Sequence, residues 1–201
     1  MKTIYAILPL AILAGCASPV QERQAQTYAA QARQAQAQNN WDGARRAYAR
    51  AVVNAELAKL PVNQRAILTY EYGRSLGVTC FYDLAHEELT LAHDLDRQAG
   101  NPLYLSLTEL ARLMFDQRKF AESIPYYEQA FSALDKAQAA TTAPAEYAAL
   151  LTEYAQALTQ AGRTADAKAA EQRSKMIKTA NPSTQSITDR TPYGKYCTKK
   201  Q

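Results

Sequence analysis

The chain has 201 residues, 47% of them hydrophobic and 21% charged, the proportions of a folded chain with room for one proper core. Only 7 glycines and 4 phenylalanines stand beside 13 tyrosines, and alanine and glutamine are abundant, a mixture that favours helix over sheet. The net charge of +4 is too mild to imply a nucleic-acid partner, and none is expected.

The opening MKTIYAILPLAILAGC has a positive start at Lys2, an apolar run from Ile4 to Leu13 broken by Tyr5 and Pro9, and small residues at Ala14 and Gly15. These are the parts of a secretory signal peptide, expected over residues 1–15. The run of about 10 residues is well short of the ~20 that a membrane-spanning helix needs. Leu13-Ala14-Gly15-Cys16 resembles the lipobox of bacterial lipoproteins. That resemblance implies a diacylglycerol on the Cys16 sulfur, cleavage before Cys16 and acylation of the new amine. Two or three chains would anchor the protein stably. Ala17 is not Asp, which by resemblance to the enterobacterial sorting pattern implies the outer membrane, with the domain facing the periplasm. The lipid is the sole attached group expected; no cofactor is implied.

Residues 16–23 read as lipidated Cys and spacer, with helix from about Gln24. The segment QERQAQTYAAQARQAQAQNN is nearly low in complexity, and Tyr28, Ala32 and Ala35 give it one thin apolar stripe. Helical periodicity then recurs, interrupted at Asn39-Asn40, Leu60-Pro61, Gly100-Asn101-Pro102, Thr141 to Pro144, and Gly162. Pro102 and Pro144 suit the first turn of a helix, where a missing N–H does no harm.

Four segments superimpose: WDGARRAYARAV, YDLAHEELTLAHDL, FAESIPYYEQAF and TADAKAAEQRSK. They begin at Trp41, Tyr82, Phe120 and Thr164, and three residues later carry Ala44, Ala85, Ser123 and Ala167. In the first three, a bulky Tyr48, Leu89 or Tyr127 follows, then Ala51, Ala92 or Ala130; the fourth has Glu171 and Ser174 instead. The helix before each carries a large-small pair at Tyr72-Gly73, Leu110-Ala111 and Tyr154-Ala155, replaced in the first unit by Gln31-Ala32. The pattern resembles the tetratricopeptide repeat (TPR), a helix–turn–helix unit of about 34 residues whose small residues let helices approach closely. The resemblance implies an all-α, TPR-like solenoid of about four repeats over residues 24–180, with the outer units as caps. The small-residue marks lie 41, 38 and 44 residues apart, so helices or loops must be extended. A helical hairpin bundle without TPR geometry is the alternative.

Residues 181–201 form an irregular tail with Pro182, Pro192 and Gly194 and no helical stripe. With Cys16 assigned to lipid, Cys80 and Cys197 remain, and two thiols in an oxidising compartment often pair. A Cys80–Cys197 disulfide would bring the tail back along the stack to the second repeat. Two unpaired thiols, or a bridge from Cys197 to a partner, are the alternatives.

Nothing in the sequence supports catalysis. His86 and His93 are seven residues apart, ~10 Å along a helix, too far for one metal ion. His86-Glu87-Glu88-Leu89-Thr90 begins like a zincin helix, but Thr90 stands where the second histidine is required. There is no nucleophile elbow and no phosphate loop. In TPR proteins the first helix of each pair lines a concave groove that takes extended peptides or a partner's helix. The resemblance puts Arg33, Arg74, Arg112 and Gln156 at equivalent groove positions, flanked by Tyr70, Thr108, Phe115 and Thr152. The planar guanidinium forks would clamp an acidic segment or C-terminal carboxylate. The function implied is a non-enzymatic, lipid-anchored adaptor for envelope proteins, similar to TPR pilotins or to adaptors of cell-wall hydrolases. A self-associating structural lipoprotein, its groove covered by its own tail, is the second reading.

Overall fold

The recurring small residues sit where helices touch. The computed structural model describes residues 19–182 and 190–197, and nine helices occur among them. Four hairpins follow in series: α1 (Pro19–Ala37) with α2 (Trp41–Leu57), α3 (Val62–Val78) with α4 (Tyr82–Ala99), α5 (Tyr104–Asp116) with α6 (Phe120–Lys136), and α8 (Pro144–Gln160) with α9 (Thr164–Ala180). A single turn, α7 (Ala139–Thr142), fills the interruption before the last hairpin. Trp41, Tyr82, Phe120 and Thr164 are each the first residue of a second helix. Ala44, Ala85 and Ser123 are completely buried and Ala167 nearly so. Tyr48, Leu89 and Tyr127, with Ala51, Ala92 and Ala130 a turn later, are buried as well.

The hairpin turns share one geometry. Asn39, Cys80, Arg118 and Gly162 take left-handed backbone conformations, with φ of 57°, 70°, 60° and 79°. The next residue's N–H then donates back to a carbonyl five residues earlier: Asn40 to Ala35, Phe81 to Leu76, Lys119 to Met114 and Arg163 to Leu158, at 2.8–3.0 Å. Such bonds satisfy carbonyls that the end of a helix leaves without partners. Asn40 also caps α2, its side-chain oxygen accepting the Gly43 N–H at 2.9 Å.

Close approach explains the large-small pairs. A Cβ on Gly73 would come within 2.9 Å of Leu89 Cγ, so only glycine lets α3 lie this near α4. Ala32, Ala111 and Ala155 hold the same place in the other hairpins and are buried. Three apolar clusters run along the stack: Ala25 to Leu68 at the N-terminal end, Trp41 to Met114 in the middle, and Ala111 to Ala170 beyond.

Several expectations change. Helix begins at Pro19, five residues before Gln24, because half-buried Gln21 lies one turn ahead of the buried Ala25 and carries the packed stripe toward the N-terminus. Pro144 opens α8, but Pro102 lies ahead of α5 rather than in its first turn. At Ser174 the pattern break is a buried hydroxyl donating to the Ala148 carbonyl at 2.8 Å. The signal segment and Cys16 lie outside the described residues. Among the described residues no helix is long and apolar enough to cross a membrane.

Candidate functional site

The first helices of the hairpins carry a ladder of alternating charge. Arg74 Nη1 donates to both oxygens of Glu71 at 3.0 Å, and its Nε lies 3.8 Å from Glu109 in the next repeat. Arg112 repeats the arrangement: Nη1 donates to Glu109 at 3.3 Å, while Nε and Nη2 grip Glu153 at 3.0 and 2.9 Å. Each arginine thus pairs with the glutamate three residues earlier on its own helix and with the glutamate of the following repeat. At the N-terminal end, Gln36 Nε2 donates to Glu71 at 3.0 Å and its oxygen accepts the Tyr48 hydroxyl at 2.8 Å. Tyr127, the bulky residue of the third repeat, donates to Glu153 at 3.3 Å.

The tail closes the ladder. Arg190 makes a two-pronged pair with Asp116 at 2.7 and 2.8 Å, reaches Glu153 at 3.3 Å, and lies over the Phe115 ring. Thr191 accepts a hydrogen bond from Arg74 Nε at 2.9 Å. Tyr193 is 7% exposed, and its hydroxyl donates to Glu109 at 2.7 Å. Gly194 and Tyr196 donate their N–H groups to the carbonyls of Gly77 and Val78, at 3.2 and 3.1 Å, at the C-terminal end of α3, where the Gly77 carbonyl also accepts the Cys80 N–H at 3.1 Å. Gly77 has no side chain because Tyr193 occupies the space: a Cβ there would sit 2.5 Å from the ring. Cys80 and Cys197 are joined in a disulfide, with Cα atoms 5.1 Å apart, across 117 residues.

Electrostatics follow from this packing. Burial drives the Glu109 carboxyl up, but Arg74 and Arg112, helped by hydrogen bonds from Thr191 and Tyr193, more than offset it and hold it below the usual carboxylate range. Burial also works against the charges of Arg74, Arg112 and Arg190; their carboxylate partners win, and all three are held above the ordinary arginine value. Burial, with Glu109 alongside, pushes the Tyr193 phenol well up. Buried ion pairs of this kind contribute little net stability against an apolar substitute, yet removing one partner is costly because the other stays buried and charged. The ladder therefore fixes the seating of the tail more than it strengthens the fold.

The residues singled out from sequence divide into two groups. Arg74, Arg112 and Phe115 meet at the tail, and Tyr70, half-buried, lies under the Arg74 guanidinium at 5.6 Å. Arg33 and Gln156 are exposed toward the two ends, Thr108 is half-buried on α5, and Thr152 donates to the Ala148 carbonyl and accepts from Lys178. The expected row of open guanidinium forks is thus interrupted in its middle: internal carboxylates and Thr191 occupy Arg74 and Arg112, because each has a glutamate three residues before it. His86 pairs with Tyr126 at 2.9 Å and His93 with Ser106 at 3.2 Å. Among the described residues no three His, Cys, Asp or Glu side chains gather in a way that could hold a metal ion.

Sequence reasoning missed Glu71, Glu109, Glu153, Asp116, Arg190 and Tyr193. The glutamates had a signal, recurring three residues ahead of Arg74, Arg112 and Gln156. In the last repeat glutamine replaces the arginine, and Arg190 from the tail supplies the missing cation.

Comparison with known proteins finds likeness in fold. A Podosopora anserina protein assigned to the kinesin light chains, built of nearly identical TPR-like repeats, superposes with TM-score 0.63 and 19% identity over 87% of this chain and 82% of that one. A single-substitution form of the same protein gives 0.65 and 18% over the same shares. The MamA protein gives 0.50 and 12%, over 84% of this chain and 99% of its own. No family model and no curated protein matches the sequence. The fold is a TPR-like helical-repeat array.

Proposed function

We propose that this chain is a non-enzymatic protein-interaction scaffold of the bacterial envelope, held to the outer membrane by lipid on Cys16 and facing the periplasm. The carrying observation is the tail seated across a TPR-like array and stapled by Cys80–Cys197. A disulfide closing so long a stretch persists in an oxidising compartment, which agrees with export. The short distance from Cys16 to the start of α1 at Pro19 supports a close tether: three residues reach at most about 11 Å. Partners would meet the array away from the surface that residues 190–197 cover. Arg33 marks one such end; Thr152, with Lys175 and Lys178 around an open depression of about 390 Å³, marks the other. Pilus or secretion machinery and cell-wall enzymes are the envelope systems this reading points to.

Two experiments test the reading. Globomycin, or a Cys16→Ala change, should leave unprocessed precursor; normal processing under either would remove the lipid anchor from the account. A photo-crosslinker at position 33 or 156 in living cells should capture an envelope protein, identified by mass spectrometry. The second reading, a self-associating structural lipoprotein, is favoured by the covered centre. Light scattering after size exclusion separates the two: a concentration-dependent oligomer supports it and a monomer rejects it.

A further inference from the structure

The tail does more than cover a surface; it meets the array as a peptide ligand meets its site. Arg190 is held by two carboxylates and an aromatic face, Asp116, Glu153 and Phe115. Three residues on, the Tyr193 hydroxyl reaches the buried Glu109, and its ring fills the space that Gly77 leaves open. Next comes Gly194, at φ 73°, where any Cβ would lie 2.6 Å from the Tyr82 hydroxyl. Main-chain N–H groups on the α3 carbonyls supply the contacts that do not depend on sequence, and the side-chain sites supply selectivity.

We propose that the face of α3 and α5 is a peptide-recognition site for a segment of pattern Arg-x-x-Tyr-Gly on a partner protein, turning at its tyrosine and glycine as residues 193–196 do here. The chain's own residues 190–194 close the site, and reducing the Cys80–Cys197 disulfide leaves them tethered by the backbone to α9 alone, so that a partner segment can compete for the site. The partner chemistry is opposite to the one the arginine row suggested. Four carboxylates (Glu71, Glu109, Asp116 and Glu153) face two cations of the array, Arg74 and Arg112, so the site without its tail has an acid excess and attracts a cationic segment. Opening takes two electrons and two protons from a dithiol donor: the donor becomes a disulfide, and Cys80 and Cys197 become thiols. Cys197 is exposed and open to that attack. With the staple intact the tail is held at both ends; once the disulfide is reduced, the backbone to α9 alone keeps it at an effective concentration of about the millimolar range, which a partner segment has to exceed. This deepens the scaffold reading and rests on it for biological purpose, but its test does not depend on lipidation.

A protease site placed within residues 183–189 of the full chain allows the tail to be cut while the disulfide still holds it. The probe is a fluorescent peptide copying residues 189–198 with serine for Cys197. The uncut, oxidised chain should not bind it. The uncut chain reduced with dithiothreitol should bind it at peptide concentrations of about the millimolar range, set by competition with its own tail. No binding by the reduced, uncut chain at any concentration would overturn the redox opening. After cutting and reduction with dithiothreitol, binding should be saturable, and at least tenfold weaker when alanine replaces the arginine or the tyrosine of the peptide. Asp116→Asn in the chain should weaken it likewise while helical circular dichroism is retained. Binding no tighter than a scrambled peptide, equal binding to the uncut oxidised chain, or loss of helix once the tail departs would each overturn the proposal. Capture of a partner at position 33 or 156 in cells would still stand in any of those cases, so failure here is distinguishable from failure of the scaffold reading.

Discussion

Arg74 and Arg112, in the middle of the array, expose only 20% and 16% of their side chains, whereas Arg33 and Gln156, at equivalent places toward the ends, lie open to solvent. The register is the same and the environments are opposite. What differs is the residue three positions earlier and the presence of the tail. Glu71 and Glu109 precede the buried arginines and turn each into a link of the ladder; Ala30 precedes Arg33. Gln156 follows Glu153, but that carboxylate is taken by Arg112 and Arg190. A repeated residue type at a repeated position is thus no guide to a repeated role. The neighbour at helical spacing decides whether a guanidinium faces its own chain or is left for a partner.

The contrast predicts a gradient of effects from centre to ends. Replacing both Cys80 and Cys197 with serine should cost the most, roughly 4–5 kcal/mol for a closed loop of over 100 residues, read as a lower urea midpoint that reductant no longer changes. Tyr193→Ala should cost about 3–5 kcal/mol, since it empties a packed ring site and leaves Glu109 without its phenol donor. A loss under ~1 kcal/mol in that variant would mean that the tail rests on the array without being part of its core.

Acid should act through the centre. The folded-state carboxyl of Glu109 is held below its unfolded value of 4.5, so its contribution is present above that value and fades as pH falls through the lower folded one. Denaturant midpoints measured from pH 5 downward should therefore fall, and Glu109→Gln should flatten that slope. Arg33→Ala and Gln156→Ala should shift stability by no more than ~0.5 kcal/mol, as exposed substitutions do.

Much of the fold was legible because close packing leaves a mark in sequence. Trp41, Tyr82, Phe120 and Thr164 name the starts of the second helices to the residue, and Ala44, Ala85, Ser123 and Ala167 name the contacts behind them. The N-terminal boundary was less clear, since α1 buries only alanines, Ala25, Ala29 and Ala32, and such small residues separate weakly from a polar spacer. The candidate site was legible in part. The course of the tail could be raised from Cys80 and Cys197, but its chemistry could not. Arg190 and Tyr193 belong to a segment without periodicity, and their partners lie 74 and 84 residues away in sequence. Gly77 carried a trace of the answer, because a glycine inside a helix costs about 1 kcal/mol and so asks for a packing reason.

In the oxidised protein, residues 190–197 are a fixed part of the middle of the array. Amide hydrogen exchange of the oxidised protein tests it most directly, at Gly194 and Tyr196, which donate to Gly77 and Val78. Protection at these two amides should be comparable to that of the α3 core, and should be lost in the Tyr193→Ala variant under reduction. Exchange at the rate of an unstructured peptide in the oxidised wild-type chain would contradict it.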